Sequence, residues 1–390
     1  MLPAREEVVS CCGPEAKPPD AGESRKDAPK TVCCGGSRVC ESTTEASSLD
    51  GTSFPWIERT IETPAGNVPV VRTRLLPSDR HGTWRVRWNF GRMSYAVPPG
   101  LYGLGSPDPP SPVLVTANFK LTFDRVRRQL VGRSAWLLVL DTKGINVWCA
   151  AGEGTFGTDE LIGRIESTGL ARVVSHRTII LPQLGAPGVA SHLVTKATKF
   201  HVVFGPVRAE DIPAFLDAGL RATTEMRRVT FPLKDRLVLT PVEFMQVAGN
   251  PVFLAIFGLW ALQILGLKFI PLDGPAFLGA VLIGTVGLPA LLPWIPVRPF
   301  ALKGWILGMA WAIAVCAFRG VSLATPAGRL AAASYGLIYP ALTAFLAMGF
   351  TGSSTFTSLS GVVKEMKYAI PAMILSGALG LAALAARYFV

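Results

Sequence analysis

Cys149 sits in the run Asn146-Val147-Trp148-Cys149-Ala150-Ala151-Gly152-Glu153-Gly154-Thr155-Phe156-Gly157-Thr158, a single thiol among very small residues. Ala150, Ala151, Gly152, Gly154 and Gly157 remove side-chain bulk, while Trp148 and Phe156 offer apolar surface near the sulfur. This pattern predicts a place where a large flat ligand approaches the backbone. A thiol there can be a nucleophile, a redox group, a metal ligand or a core residue. Burial in a core is the commonest fate of an isolated cysteine, but small neighbours leave the sulfur uncovered, which wastes packing unless a ligand fills the gap. Acyl transfer by a thiol needs a partner histidine. His81, His176, His192 and His201 are available, and each reads better as structural, with His176 and His192 bordering a pocket.

The same residues contain a literal G-x-G-x-x-G, Gly152-x-Gly154-x-x-Gly157. A dinucleotide site requires a strand running straight into the glycines and an acid about 20 residues further on. Here the strand expected over 135–141 ends before Gly152, and Ser175-His176-Arg177 carries no carboxylate. Nucleotide binding is therefore a poor fit.

The run from Asn146 to Glu153 resembles the cap-helix signature of the mercury-methylating corrinoid proteins, the HgcA family, whose pattern is Asn-Val/Ile-Trp-Cys-Ala-Ala/Gly-Gly-Lys. Seven of its eight positions match, and Glu153 stands where the family has lysine. The resemblance extends to Val115-Thr116-Ala117-Asn118-Phe119-Lys120, to Gly205-Pro206-Val207-Arg208-Ala209 and to Thr351-Gly352-Ser353-Ser354-Thr355-Phe356-Thr357-Ser358, so it covers roughly Trp56 to the C-terminus. Parts of it are shared with the large subunit of corrinoid iron–sulfur proteins of the acetyl-CoA pathway.

The resemblance implies a methyltransferase with a cobalamin cofactor and Cys149 as the thiolate lower axial ligand of cobalt. It implies cofactor contacts from Asn146, Val147, Trp148, Cys149, Ala150, Ala151, Gly152, Gly154, Thr155, Gly157 and Thr158, joined by Thr116, Asn118 and Lys120. In that reading Asn146 orients the cap helix and Trp148 wedges it against the sheet. The substrate would be inorganic Hg(II), the methyl donor a folate-linked methyltransferase, and the reductant a ferredoxin-like 4Fe–4S protein, HgcB in the family. A soluble methyl carrier of the acetyl-CoA pathway is the alternative, although its N-terminal cluster motif is not reproduced here. A non-catalytic membrane cobalamin-binding module is a third reading.

The elements that must position Cys149 belong to the first of two unlike parts. Residues 1–53 are rich in Pro, Gly, Ser, Lys and Glu and read as a disordered tail holding Cys11, Cys12, Cys33, Cys34 and Cys40, soft-metal thiols without zinc or ferredoxin spacing. Residues 54–236 read as an α/β, Rossmann-like corrinoid-binding domain. A hairpin is expected around Ala65-Gly66-Asn67 and strands over 84–90, 112–117, 135–141, 172–175, 178–181 and 199–204. Helices are expected over 118–130, from Thr158 as N-cap, over 188–198 and over 209–218. Strands alternating with helices imply a parallel sheet with its ligand beyond the strand C-termini.

Residues 237–390 read as an all-α transmembrane domain of five helices. No charge occurs between Glu243 and Lys268, Asp273 and Arg298, Arg329 and Lys364, or Lys367 and Arg387, and each interval can hold the ~20 residues that span a bilayer. The fifth span, 299–318, contains Lys303 near its start, where a lysine can snorkel. The spans leave a tie in loop charge, and Arg227, Arg228, Lys234 and Arg236 tip the N-terminal domain toward the cytoplasm in a multi-pass inner-membrane protein. The polar first forty residues predict no cleavable signal. Net charge +11 is spread through the chain without a nucleic-acid motif, so attraction to anionic lipid or an acidic protein explains it better than nucleic acid. A domain cut near Arg236 is expected to remain soluble and to bind cobalamin, because the motif residues all precede the first span.

Overall fold

The computed structural model describes residues 54–265, 273–353 and 359–390. The five tail cysteines and most of the expected polar loop, residues 354–358, lie outside the described residues.

A hairpin of β1 (Ile57–Thr63) and β2 (Gly66–Val71) opens the domain. The strands β3 (Gly100–Leu104), β4 (Val113–Ala117), β5 (Ala135–Leu140), β6 (Thr178–Leu181) and β7 (His201–Phe204) complete a seven-stranded sheet in the order β1-β2-β3-β5-β4-β6-β7. β5, β4, β6 and β7 are parallel neighbours, whereas β3 runs antiparallel to β5, so the sheet is mixed. Every residue of β4 and β5 is buried, as befits continuous apolar strands covered on both faces.

Around the sheet lie α1 (Pro77–Arg87), α2 (Lys120–Gln129), α3 (Val147–Glu153), α4 (Thr158–Ser167), α5 (Leu170–Val173), α6 (Ser191–Thr198) and α7 (Ile212–Asp217). The strand expected over 84–90 is corrected by α1. Trp84, Val86, Trp88 and Phe90 alternate in the sequence, but Pro77 at the first turn has no N–H to lose and Asp79 accepts the Leu76 N–H at 2.9 Å, which starts a helix instead. The strand expected over 172–175 is likewise replaced by the short α5. The N-cap of α4 is Gly157 rather than Thr158, whose hydroxyl accepts the Ala190 N–H at 2.9 Å.

The C-terminal region is helical. α8 (Leu233–Leu237) and α9 (Thr240–Ala248) lead to α10 (Pro251–Ile264), α11 (Gly274–Leu282), α12 (Leu288–Leu291), α13 (Phe300–Phe318), α14 (Pro326–Gly349) and α15 (Leu359–Ala386). A π-helical turn, Ile283–Gly287, joins α11 to α12. Four helices, 274–291, 300–318, 326–349 and 361–386, are long and apolar enough to cross a membrane. Among the described residues a fifth is reached if 233–248 and α10, bent by 73°, count as one broken span. Lys303 does not snorkel: it is buried, and its ammonium donates to the carbonyls of Leu292 and Ile295 at 2.8 and 2.7 Å, satisfying carbonyls just beyond α12.

Candidate functional site

From β4 the chain crosses through α2 to β5 on one side and later reaches β6 on the other. That reversal opens a crevice beyond the strand C-termini. A cleft of about 430 Å³ occupies it, lined by Thr116 of β4, Leu181 of β6, Gly205 after β7, and Asn146 and Cys149 at the start of α3. Val238, Leu239 and Val242, from the end of α8 into α9, form a further wall.

The seven-residue α3 starts at Asn146, whose Oδ1 accepts the Cys149 N–H at 3.0 Å. The other end of the same carboxamide, Nδ2, donates to Cys149 Sγ at 3.5 Å. One side chain thus caps the helix and holds the thiol. Asn118 sets the approach to α3: its Oδ1 accepts the N–H groups of Thr142 and Gly144 at 3.2 and 2.9 Å, and its Nδ2 donates to Asp141 at 3.2 Å.

The small residues after Cys149 serve close packing. Ala150 and Ala151 are buried, and α3 lies against the 3₁₀ turn Gln183–Gly188. A Cβ at Gly188 would sit 2.2 Å from Phe156 O and 3.2 Å from Ala151 Cα, and one at Gly185 would strike the Phe156 ring. Phe156 is fully buried and does not flank the thiol. Gly154 ends α3 with φ +85°, where glycine costs least, and a Cβ at Gly157 would lie 2.6 Å from Gly154 O. Gly152 has open space around it, and the Thr155 hydroxyl reaches Ala150 O at 3.5 Å. Of the residues the sequence singled out, the structure therefore brings Thr116, Asn146, Val147, Trp148 and Cys149 to the cleft. Those from Ala150 to Thr158 shape the turn beneath it.

Trp148 is 41% exposed and lines the cleft instead of wedging against the sheet. Thr116 is buried, and its hydroxyl has no hydrogen-bond partner among the described residues. Lys120 is elsewhere. Its ammonium lies between Asp79 at 2.7 Å and Asp124 at 2.8 Å, and Arg127, fully buried, closes the network on the same two carboxylates at 2.7 and 2.8 Å. The network binds α2 to α1. None of the four histidines lines the cleft; His176 Nε2 lies 2.9 Å from Ser111 O, and its Nδ1 accepts the Thr178 N–H.

Burial pushes the Cys149 thiol above its ordinary pKa and the charge of Glu153 adds to this, while the Asn146 hydrogen bond and Arg92 oppose it. Arg92 lines the cleft with its guanidinium 5.5 Å from the Phe119 ring centroid. Burial lowers its pKa, against the attraction of Cys149 and Glu243. The sequence reading missed Arg92, Arg87 and the wall from Val238 to Val242, since each depends on contacts between distant segments. Arg208 was legible within Gly205-Pro206-Val207-Arg208-Ala209; it lines the cleft and pairs with Asp235 at 2.7 Å.

Residues 90–216, which hold the strands and α3 around this cleft, match the model of a family described as CO dehydrogenase/acetyl-CoA synthase delta subunit. Similar proteins include acetyl-CoA decarbonylase/synthase complex subunit gamma of Methanocaldococcus jannaschii, 45% identical over 97 residues, or 24% of this chain and 20% of the relative. The subunit gamma of Methanopyrus kandleri is 37% identical over 123 residues, 31% of this chain and 26% of the relative. Subunit gamma 2 of Methanosarcina thermophila is 41% identical over 99 residues, 24% of this chain and 21% of the relative. The chain spans about a quarter or less of the length of these curated relatives.

Proposed function

We propose that this chain is a membrane-embedded corrinoid protein that transfers methyl groups, in which the cleft would hold cobalamin and Cys149 would supply a thiolate to its cobalt. The observation that carries the reading is the Cys149 thiol, held by Asn146 at the mouth of an apolar cleft at the strand C-termini. The residues fit such a group: the Thr116 hydroxyl is buried without a partner beside the cleft, as a site for a polar substituent requires. Similarity to subunits of acetyl-CoA decarbonylase/synthase supports corrinoid methyl chemistry.

The corrinoid, when bound, supplies a transferable methyl group. Asn146 orients Cys149 through the backbone and presents an N–H donor that favours the thiolate over the thiol. Trp148 and Phe119 give apolar walls that exclude water. Thr116 offers its hydroxyl to a ligand amide. Arg92 adds positive charge near the sulfur, opposing the burial that disfavours the anion. A Cys149 thiolate would be an electron-rich donor to such a group, a character that would suit methyl delivery to an electrophilic acceptor. On that ground we infer an electrophilic acceptor such as inorganic Hg(II); a folate-linked methyltransferase as donor and an HgcB-like ferredoxin as reductant are what the resemblance of the run Asn146 to Glu153 implies.

A second reading rests on the comparisons, which support a methyl carrier of the acetyl-CoA pathway more directly than mercury methylation. In that case the partners are subunits of such a complex. Reconstituted full-length protein, given a reductant and either Hg(II) or an acetyl-CoA synthase, separates the two. Methylmercury formation supports the first reading, and methyl delivery to the synthase without methylmercury replaces it with the second.

In either reading the chain divides into a tail (1–53), a cofactor domain (54–236) and a membrane domain (237–390), with the cleft on the cytoplasmic side of an inner membrane.

A further inference from the structure

Outside the Cys149 cleft, the faces of α1 and α2 enclose a second cavity of about 530 Å³ lined by Arg74, Arg80, Arg87, Arg125 and Arg128. Its one carboxylate, Asp124, is consumed by Lys120 and Arg127. Among the described residues no carboxylate pairs with Arg74, Arg80, Arg125 or Arg128. Arg87 and Arg125 also face the Cys149 cleft, and Arg87 feels the charge of Asp235; the other arginines gather here without a paired carboxylate and repel one another, an arrangement that an anion relieves.

The same helix carries exposed apolar side chains on and just beyond its end. Trp84 is 54% exposed, Phe90 50% and Met93 71%, and the Trp84 and Trp88 rings lie 6.1 Å apart. α1 packs against α9, which leads directly into α10, and Arg87 donates to Val238 O at 3.5 Å. Nearby, Arg236 of α8 donates to Pro289 O and Ala290 O at 2.8 and 2.6 Å at the end of α12, with exposed Trp294 5.6 Å away. Arginines interleaved with exposed tryptophans at the ends of apolar helices are the composition of a membrane–water interface.

We propose that α1 and the segment to Met93 seat on the membrane surface, with the phosphate of an anionic phospholipid headgroup in the Arg74–Arg80–Arg128 cavity and Trp84, Phe90 and Met93 in the headgroup layer. The seat holds the cleft domain against the bilayer. It rests on membrane insertion of the C-terminal helices and is independent of the corrinoid reading.

Amide hydrogen exchange on the full chain tests it, in nanodiscs of phosphatidylcholine alone or with one-third phosphatidylglycerol. Failure of the chain to incorporate at all would refute the membrane reading itself. Once it is incorporated, phosphatidylglycerol is expected to slow exchange across 84–93 several-fold, and the triple variant Arg74→Gln/Arg80→Gln/Arg128→Gln to lose that effect. Unchanged protection of β4 and β5 reports that the variant is folded; if it is not, Arg128→Gln alone carries the comparison. Equal exchange in the two lipids, or a lipid effect that survives the substitutions, overturns the proposal. Equal protection by inorganic phosphate in phosphatidylcholine discs also overturns it, since the cavity would then take a free anion.

Discussion

The carboxamide of Asn146 holds Cys149 at two points, Oδ1 accepting the backbone N–H at 3.0 Å and Nδ2 donating to Sγ at 3.5 Å. Helix start and thiol environment are therefore one device. Asn146→Ala removes both and should cost about 1 kcal/mol of stability from the lost cap. It should also move the midpoint of Cys149 alkylation by iodoacetamide to higher pH, because the donor that opposes burial is gone. Asn146→Ser restores the cap but cannot reach the sulfur, so stability should recover while the alkylation midpoint stays high. Recovery of both by serine would show that the Nδ2 contact has no influence on the thiol.

Glu153 is the last residue of α3 and its charge raises the Cys149 pKa. Glu153→Lys reverses the sign, so the alkylation midpoint should fall and thiolate ligation of cobalt should persist to lower pH. Because Glu153 is exposed, the shift should shrink as salt is raised from 0.05 to about 0.5 M. Identical midpoints in both proteins at low salt would remove any electrostatic role for this position.

Val238, Leu239 and Val242 wall the cleft, beyond the point near Arg236 at which the expected soluble fragment would end. A chain ending at Arg236 should bind cobalamin at least tenfold more weakly than one ending at Gly249, which retains α8 and α9. Equal affinities, measured by isothermal titration on folded fragments, would show that the juxtamembrane wall is dispensable.

Asp79 is buried among Lys120, Arg127 and the Leu76 N–H. Burial alone would raise its pKa, but the hydrogen bonds from Lys120, Leu76 and Arg127 outweigh this and hold it below the ordinary carboxylate value. A carboxylate depressed in the folded state stabilises fully above its unfolded pKa and loses that contribution as pH falls through the folded value. Asp79→Asn leaves Lys120 and Arg127 under-compensated and should cost roughly 3 kcal/mol or more at neutral pH. It should also flatten the acid limb of stability below about pH 4. An acid limb unchanged in the variant, followed by urea unfolding, would assign acid sensitivity to other groups.

The central strands were legible because β4 and β5 are unbroken apolar runs, and the cleft's place followed from the order of strands and helices. Val86 and its neighbours misled, since a two-residue alternation inside α1 mimics a strand while the helix-starting pair Pro77 and Asp79 lies several residues earlier. β3, Gly100–Leu104, carries two glycines and was overlooked as a strand. Lys120 could not be placed from sequence, because the partner that accounts for its burial, Asp79, is 41 residues away. The small residues around Cys149 serve a purpose other than the expected one: they fit Gly185 and Gly188 of a distant turn, a contact that spacing does not reveal.

The central claim is that the Cys149 sulfur ligates cobalt, and the visible absorption spectrum of the full-length protein reconstituted with cobalamin tests it most directly, beside Cys149→Ala and Cys149→His. Removing one sulfur at a half-buried position should leave the fold intact. The wild type should show a cobalt spectrum distinct from water- or histidine-ligated cobalamin. Cys149→Ala should revert to the water-ligated form and Cys149→His to the nitrogen-ligated form, with methyl transfer lost in the alanine variant. A wild-type spectrum identical to that of Cys149→Ala, or a folded wild-type chain that takes up no corrinoid, would contradict the account.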